Sequence, residues 1–200
     1  IKQADCLVYD RLSSPEFLSM AKAGCELIYV GKENHKHVMK QDAINELLYE
    51  KSKYHELVVR LKGGDPYVFG RGGEELELLR ENGIPYEVVP GVTSSIAVPA
   101  YNGVPVTHRD FCSSVHIITG HKRAGKEYDI DFRALVDTKG TLVFLMGLRS
   151  LGNICEKLIK NGKNEETPVA VISKGMTAKQ RTVYGNLLTI KDLSLIHISE

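Results

Sequence analysis

The sequence V-V-R-L-K-G-G-D-P-Y-V-F-G-R-G-G-E-E-L at residues 58–76 decides the fold class of this chain. Its opening V-V-R-L predicts a β-strand, which the glycines and the proline of G-G-D-P at residues 63–66 must end. A second glycine cluster precedes E-E-L, where acidic residues favour the first turn of a helix. The stretch therefore predicts a strand, a loop and a helix. In an open α/β sheet, ligands bind at the carboxyl ends of strands, which is where this loop lies.

The segments before this stretch continue the same strand and helix rhythm. Strands are predicted at residues 6–9 and 26–30. Helices are predicted at residues 15–23, after a serine N-cap and with Pro15 as the first helical residue, and at residues 41–49. Residues 1–5 are similar to the end of a helix. Because an α/β domain rarely begins with a helix that lacks its preceding strand, we expect a further strand upstream of Ile1.

The segments after it complete this first domain and predict a second one. The expected elements are strands at residues 86–89, 114–119, 140–146 and 167–172, a hairpin arm at 180–184, and helices at 96–101 and 151–160. The proline-interrupted segment at residues 104–109 places the boundary between an N-terminal α/β domain, residues 1–107, and a C-terminal α/β domain, residues 108–200. Residues 193–200 are expected to precede a missing last strand.

Composition excludes several classes of function. The 200 residues are 42% hydrophobic, and 26 basic residues balance 25 acidic ones, so no basic field predicts a nucleic-acid partner. No apolar run reaches the roughly 18 residues of a membrane span. The four cysteines are too far apart for a C-x-x-C metal or redox motif and predict reduced thiols. We therefore expect a soluble cytoplasmic protein without a metal at its site.

Four strand-end loops carry the polar residues on which a ligand site would depend. They are D-R at residues 10–11, G-K at 31–32, G-G-D at 63–65 and G-V-T-S at 91–94. Parallel strands bring such loops to one edge of the sheet, where polar groups converge on a ligand.

Each of these features also has a plainer interpretation. G-G-D-P could be an ordinary turn, and Asp10 could pair with Arg11 at the surface. Lys32 could be a solvated charge, Thr93 and Ser94 could cap a helix, and Met146 could belong to the core.

Neither glycine cluster matches a phosphate-binding motif. Lys62 precedes its glycines instead of following them as in G-x-x-x-x-G-K-[ST], and no G-x-G-x-x-G opens a helix after a strand. The carboxylate of Asp65 further disfavours an anion and favours hydroxyl groups or a cation.

With these motifs in place, the sequence resembles the uroporphyrinogen-III C-methyltransferases, within the tetrapyrrole methylase group. The resemblance covers nearly the whole chain. It rests on V-Y-D-R-L at residues 8–12, V-G-K at 30–32, the run at 58–75, V-V-P-G-V-T-S at 88–94, G-V-P-V-T-H-R at 103–109, T-G-H at 119–121 and L-V-F-L-M-G at 142–147. A lone G-G-D-P is shared with precorrin methylases, diphthine synthases and an rRNA methylase.

The resemblance implies a two-domain α/β fold, with sheets that are mostly parallel or mixed, helices on their faces and the active site in the interdomain cleft. It also implies S-adenosylmethionine as cofactor and usually a homodimer. Asp10 resembles the family's proton acceptor and Lys32 its proton donor. The residues matched to cofactor contacts are Gly63, Gly64, Asp65, Val68, Thr93, Ser94, Met146 and Gly175.

The implied reaction is methyl transfer to two pyrrole carbons of uroporphyrinogen III, giving precorrin-2 by way of precorrin-1 for sirohaem and cobalamin. Because this substrate carries eight carboxylates, Arg11, Arg71, His108 and Arg109 are expected to be its anion partners. The family's opening G-x-G-P-G-D loop is absent from the sequence. A related methylase for a precorrin or a diphthine substrate, or a non-catalytic binding module, remains an alternative.

Overall fold

The computed structural model describes residues 1–31, 39–121 and 130–197. The chain divides into two compact units, Ile1–Thr93 and Ser94–Glu200. The domain boundary between residues 107 and 108 stays a prediction, because compactness alone does not define a domain.

A three-stranded parallel sheet forms the centre of the first unit. Its strands are β1 (Cys6–Tyr9), β2 (Glu26–Tyr29) and β3 (Val58–Leu61), in the order β2-β1-β3. Leu7 and Val8 in the central strand are fully buried. This burial explains why β1 is an uninterrupted apolar run, as expected for a strand covered on both faces.

The first unit also contains helices α1 (Pro15–Leu18), α2 (Gln41–Ser52) and α3 (Gly72–Glu81). The core combines Ile44 and Leu48 of α2 with Cys6 and Val8 of β1 and with Val30. Ile44 and Leu48 are four residues apart and therefore lie on one face of the helix. Helix α3 follows β3 directly, so the loop between them is held at both ends.

In its described residues, the second unit contains five further segments of helix and two pairs of strands. In chain order these are α4 (Ser94–Tyr101), β4 (Val115–Thr119), α5 (Phe132–Asp137), β5 (Thr141–Leu145), a 3-10 turn (Leu148–Ser150), α6 (Leu151–Lys160), β6 (Pro168–Ser173), β7 (Arg181–Asn186) and α7 (Ile190–His197). Strands β4 and β5 are parallel, and β6 and β7 form an antiparallel pair. The predicted hairpin arm is therefore confirmed as β7.

The core of the second unit lies between α6 and the elements β7 and α7. Ile154, Cys155 and Leu158 of α6 are buried with Val183 and Ile190. Their spacing along α6 produces one apolar face, as the sequence predicted for this amphipathic helix. Burial raises the pKa of the Cys155 thiol, as expected for a cysteine that acts as a small apolar core residue.

Three predictions about local structure are wrong. The helix expected to continue to Ala23 ends at Leu18, and residues 19–23 are turns or irregular structure. Residues 86–89 do not form a strand, although they are rich in β-formers. Pro85 and Pro90 flank the segment, and a proline has no N–H for a strand ladder. Residues 1–5 are not the end of a helix; Asp5 instead donates its amide to the Leu57 carbonyl at 2.9 Å and leads directly into β1. Within the described part of the chain, no helix is long and apolar enough to span a bilayer.

Candidate active site

Three loops begin at the same edge of the first sheet. Tyr9 at the end of β1 pairs in register with Tyr29 at the end of β2 and with Leu61 at the end of β3. The loops that start at Asp10, Val30 and Lys62 therefore leave the sheet at one level. This confirms the convergence that the sequence predicted for three of its four loops.

Asp10 is held in a defined orientation at this edge. Its Oδ1 accepts a hydrogen bond from the Leu12 amide at 2.9 Å, and its Oδ2 accepts one from Arg60 Nη2 at 2.8 Å. The surface ion pair of Asp10 with Arg11, which the sequence left open, is not the pairing found. Its partner Arg60 comes from the neighbouring strand, so the sheet itself fixes this carboxylate.

A buried ionic network continues from Asp10 into the sheet. Glu75, on the first turn of α3, is 3% exposed. It accepts hydrogen bonds from Arg60 Nε at 3.2 Å and from Lys62 Nζ at 2.8 Å. Arg60 therefore bridges two carboxylates, and Glu75 bridges two cations. Burial lowers the pKa of Lys62, although its hydrogen bond to Glu75 acts in the opposite direction.

Sequence reasoning missed this network. Its one visible signal is the spacing of Arg60, in an otherwise apolar strand, and Lys62, directly after that strand. Residues two apart in extended backbone point to the same side. Charged residues on a covered face need a buried counter-charge, and Glu75 supplies it.

Asp65 joins two loops of the site. Its Oδ1 accepts from the amides of Tyr67 at 2.8 Å and Val68 at 3.2 Å, and its Oδ2 accepts from the amide of Gly91 at 3.2 Å. These bonds, led by those from Tyr67 and Gly91, hold the pKa of Asp65 below its usual value. The carboxylate thus serves the protein's own backbone amides, whereas the sequence favoured hydroxyl groups or a cation as its partners. Through it, the fourth predicted loop reaches the site although no strand precedes it.

The glycines of the β3–α3 loop are required by close packing. A Cβ atom at Gly63 would lie 2.7 Å from the Leu12 carbonyl oxygen. Gly64 adopts a φ of 73°, which residues with a side chain rarely take. The loop is therefore compact, and Gly63 and Gly64 are exposed at the surface.

Arg71 lies at the end of the same loop in a left-handed conformation, with φ 59°. Its side chain pairs with Glu74 on the first turn of α3, with Nη2 and Oε2 2.6 Å apart. This hydrogen bond raises the pKa of Arg71. Because the pair is exposed, it is weak enough to exchange for another anion.

Two strand ends in the second unit carry unusual backbone conformations. Met146, directly after β5, has a φ of 57° and is 60% exposed, so the core interpretation of this residue is wrong. After β6, Lys174 and Met176 have φ values of 49° and 61° on either side of Gly175. A Cβ at Gly175 would lie 2.5 Å from Val98 Cγ1, so this glycine packs against α4. Such strained residues are concentrated at functional sites.

Comparison with known families identifies the chain. The sequence model of the Tetrapyrrole (Corrin/Porphyrin) Methylases matches residues 1–191. The chain belongs to this family.

Two relatives show the extent of the similarity. "Porphyrin biosynthesis protein HemD" of Ruminiclostridium josui is 52% identical, over 98% of this chain and 39% of the relative. "Uroporphyrinogen-III C-methyltransferase" of Methanocaldococcus jannaschii is 52% identical, over 94% of this chain and 77% of the relative. The chain thus spans well under half of the first relative and about three quarters of the second.

A solved structure supports the same assignment. The uroporphyrin-III C-methyltransferase of Thermus thermophilus, complexed with S-adenyl homocysteine, matches 96% of this chain and 80% of its own length. The TM-score is 0.79 and the sequence identity 37%. The predicted family and the predicted α/β methylase fold are confirmed.

The remaining candidate cofactor contacts of this tetrapyrrole methylase family member lie in different segments of the chain. Val68 is half-buried and donates its amide to Asp65. Thr93 is the last residue of the first unit, and Ser94 is the first residue of α4. Their roles as cofactor contacts stay predictions.

The residues that are predicted to bind the carboxylates of the substrate are all exposed. Arg11 and Arg109 are exposed, and Arg109 lies in the tight turn that His108 and Cys112 close as a β-bridge. His108 Nδ1 accepts a hydrogen bond from the Asp110 amide at 3.2 Å. Lys32, the predicted proton donor, lies outside the described residues.

Proposed function

We propose that this chain is an S-adenosylmethionine-dependent methyltransferase that methylates uroporphyrinogen III at two pyrrole carbons. The observation that carries this proposal is the 52% identity to the M. jannaschii uroporphyrinogen-III C-methyltransferase along 94% of the chain. The predicted enzyme class and cofactor agree with that name and with the S-adenyl homocysteine named for the Thermus structure.

The loops fit a cofactor of this kind. S-adenosylmethionine supplies an electrophilic methyl group and carries no phosphate, which agrees with the absence of phosphate-binding motifs from the sequence. Gly63 and Gly64 expose backbone, and Met146 exposes an apolar side chain after β5. The residues that would hold the cofactor are Gly63, Gly64, Asp65, Val68, Thr93, Ser94, Met146 and Gly175.

Asp10 is the proposed proton acceptor. Arg60 and the Leu12 amide use one lone pair on each oxygen of its carboxylate, which leaves further lone pairs to accept a proton from the substrate. Fixed orientation is the requirement for a general base, since the acceptor must stay within hydrogen-bond reach of the proton that it removes. Lys32 remains the proposed proton donor.

The exposed cations are proposed to bind the substrate's carboxylates. Arg11 and Arg109 are exposed, and Arg71 is paired only with the exposed Glu74 among the ion pairs of the described residues. A planar guanidinium binds a carboxylate through two parallel hydrogen bonds, which gives orientation as well as affinity. His108 completes the proposed set.

The finer assignments follow from the same proposal. The product is precorrin-2, made by way of precorrin-1 for sirohaem and cobalamin synthesis. We also propose that the protein is a cytoplasmic homodimer.

Methyl transfer to a panel of acceptors tests the proposal. The chain is incubated anaerobically with methyl-labelled S-adenosylmethionine and with uroporphyrinogen III, a precorrin or a diphthine precursor. Label is expected on uroporphyrinogen III. Label on another acceptor alone would support a related methylase instead. Binding of S-adenosylhomocysteine without any transfer would support a non-catalytic binding module.

A further inference from the structure

Three potential metal ligands meet at the amino edge of the first sheet, opposite Asp10. Cys6 begins β1 and pairs in register with Glu26, which begins β2. His55 lies shortly before β3. The Cys6 sulfur, a Glu26 carboxylate oxygen and a His55 ring nitrogen lie within 4.8 Å of one another. Because these residues are far apart in the sequence, no spacing motif reveals the group.

We propose that Cys6, Glu26 and His55 form a binding site for a divalent cation of the zinc class. A thiolate, an imidazole and a carboxylate are the donor types that zinc takes, whereas magnesium and calcium take oxygen donors. Three protein ligands leave a fourth tetrahedral position for water.

The two oxygens of the Glu26 carboxylate contact two different side chains. Its Oε2 lies 3.0 Å from His55 Nε2, and its Oε1 accepts a hydrogen bond from Lys51 Nζ at 2.5 Å. A cation coordinated by Oε2 and Nε2 would replace the hydrogen bond between them and leave the Lys51 contact intact. Such an outer hydrogen bond is typical of carboxylates that bind metals, because it fixes the ligand's orientation.

Cys6 provides the enclosed side of the site. It is fully buried, and burial raises the pKa of its thiol to about 11, with nearby Glu26 adding to the effect. Coordination would form the metal–sulfur bond and release the thiol proton to solvent. Glu26 and His55 are partly exposed, so a cation can enter from their side.

Cobalt binding tests the site in the full chain, kept reduced. Co²⁺ is expected to bind with a stoichiometry of about one per chain and to give a thiolate-to-cobalt charge-transfer band that Zn²⁺ abolishes by displacement. Cys6→Ser should remove that band. His55→Gln retains a hydrogen-bond donor toward Glu26, and both His55→Gln and Glu26→Gln should weaken Co²⁺ binding by more than about tenfold.

Two control variants keep the test specific. Cys112→Ser removes a half-buried thiol from the second unit and should leave the band unchanged. A double variant at His35 and His37, which form an H-K-H sequence, should also leave it unchanged. Absence of a thiolate band from the wild-type chain would overturn the proposal, and so would its loss in either control. If Cys6→Ser fails to fold by circular dichroism, unchanged affinity in folded His55→Gln or Glu26→Gln would overturn it equally.

Discussion

Glu75 places a carboxylate at a position that is 3% exposed, and two cations, Arg60 and Lys62, offset the cost of burying it. Glu75→Gln keeps the size of the side chain but leaves Arg60 and Lys62 without their buried counter-charge. Breaking a buried pair in this way costs about 3–5 kcal/mol. We expect a loss of that order in the free energy of unfolding, measured with urea.

Glu50 offers a matched control for this substitution. It pairs at the surface with Lys53, the residue directly after α2, at 2.6 Å. Glu50→Gln should change the free energy of unfolding by less than about 1 kcal/mol. Equal losses in the two variants would show that the Glu75 network contributes no more than a surface ion pair.

Asp10 is the residue on which the proposed chemistry depends. Asp10→Asn retains an oxygen that can accept the Arg60 hydrogen bond, but its amide is a poor proton acceptor. We expect kcat for uroporphyrinogen III methylation to fall about 10²–10⁴-fold. Binding of S-adenosylhomocysteine, measured by calorimetry, should stay near the wild-type value.

Asp137→Asn, at the exposed end of α5, is the control for this loss. Its kcat should match that of the wild-type enzyme. An unchanged kcat in Asp10→Asn would remove Asp10 from the mechanism.

Individual residues show which features of the site the sequence can predict. Asp10 is a candidate because its motif follows a strand and resembles that of the family, and its catalytic role stays a prediction. The sequence could not supply the ionic partner of Asp10, since Arg60 reaches it only through the pairing of β1 with β3, and Glu75 reaches Arg60 only through the packing of α3. For the same reason Asp65 was expected to contact hydroxyl groups or a cation, whereas it binds backbone amides of two loops.

At the scale of elements, the start of α3 depends on a close contact with the loop before it. A Cβ at Gly72 would lie 2.6 Å from the Pro66 carbonyl oxygen, which is rigid backbone, whereas one at Gly73 would meet nothing within 4 Å. Gly72→Ala should therefore destabilise the chain by about 1–3 kcal/mol. Gly73→Ala should stabilise it by about 0.5–1 kcal/mol, because alanine favours the helix.

Urea unfolding of these two variants provides the measurement, with each serving as the control for the other. A similar change of the same sign in both would contradict the close packing of Gly72 against Pro66.

Elements also show where sequence patterns succeed. The strands β1 and β3 were predicted because short apolar runs end at polar or glycine-rich loops. The strand expected at residues 86–89 does not form, since two flanking prolines outweigh its β-forming residues. The left-handed conformations of Met146 and Lys174 have no sequence signal, because neither residue type favours them.

At the scale of the whole molecule, the family and the fold followed from motifs that extend over nearly the entire chain. The family match covers residues 1–191 and agrees with that extent. The amino-edge group of Cys6, Glu26 and His55 was not predictable, since it exists only after β1 and β2 pair. The proposed cation site and the proposed proton acceptor Asp10 thus lie at opposite edges of one sheet, and separate measurements can test them.

Mass spectrometry of uroporphyrinogen III after incubation with the chain and S-adenosylmethionine tests most directly whether this protein is the proposed methyltransferase. Successive addition of one and then two methyl groups is the expected result. No added methyl group, under conditions in which calorimetry shows that the same sample binds S-adenosylhomocysteine, would contradict the proposed activity.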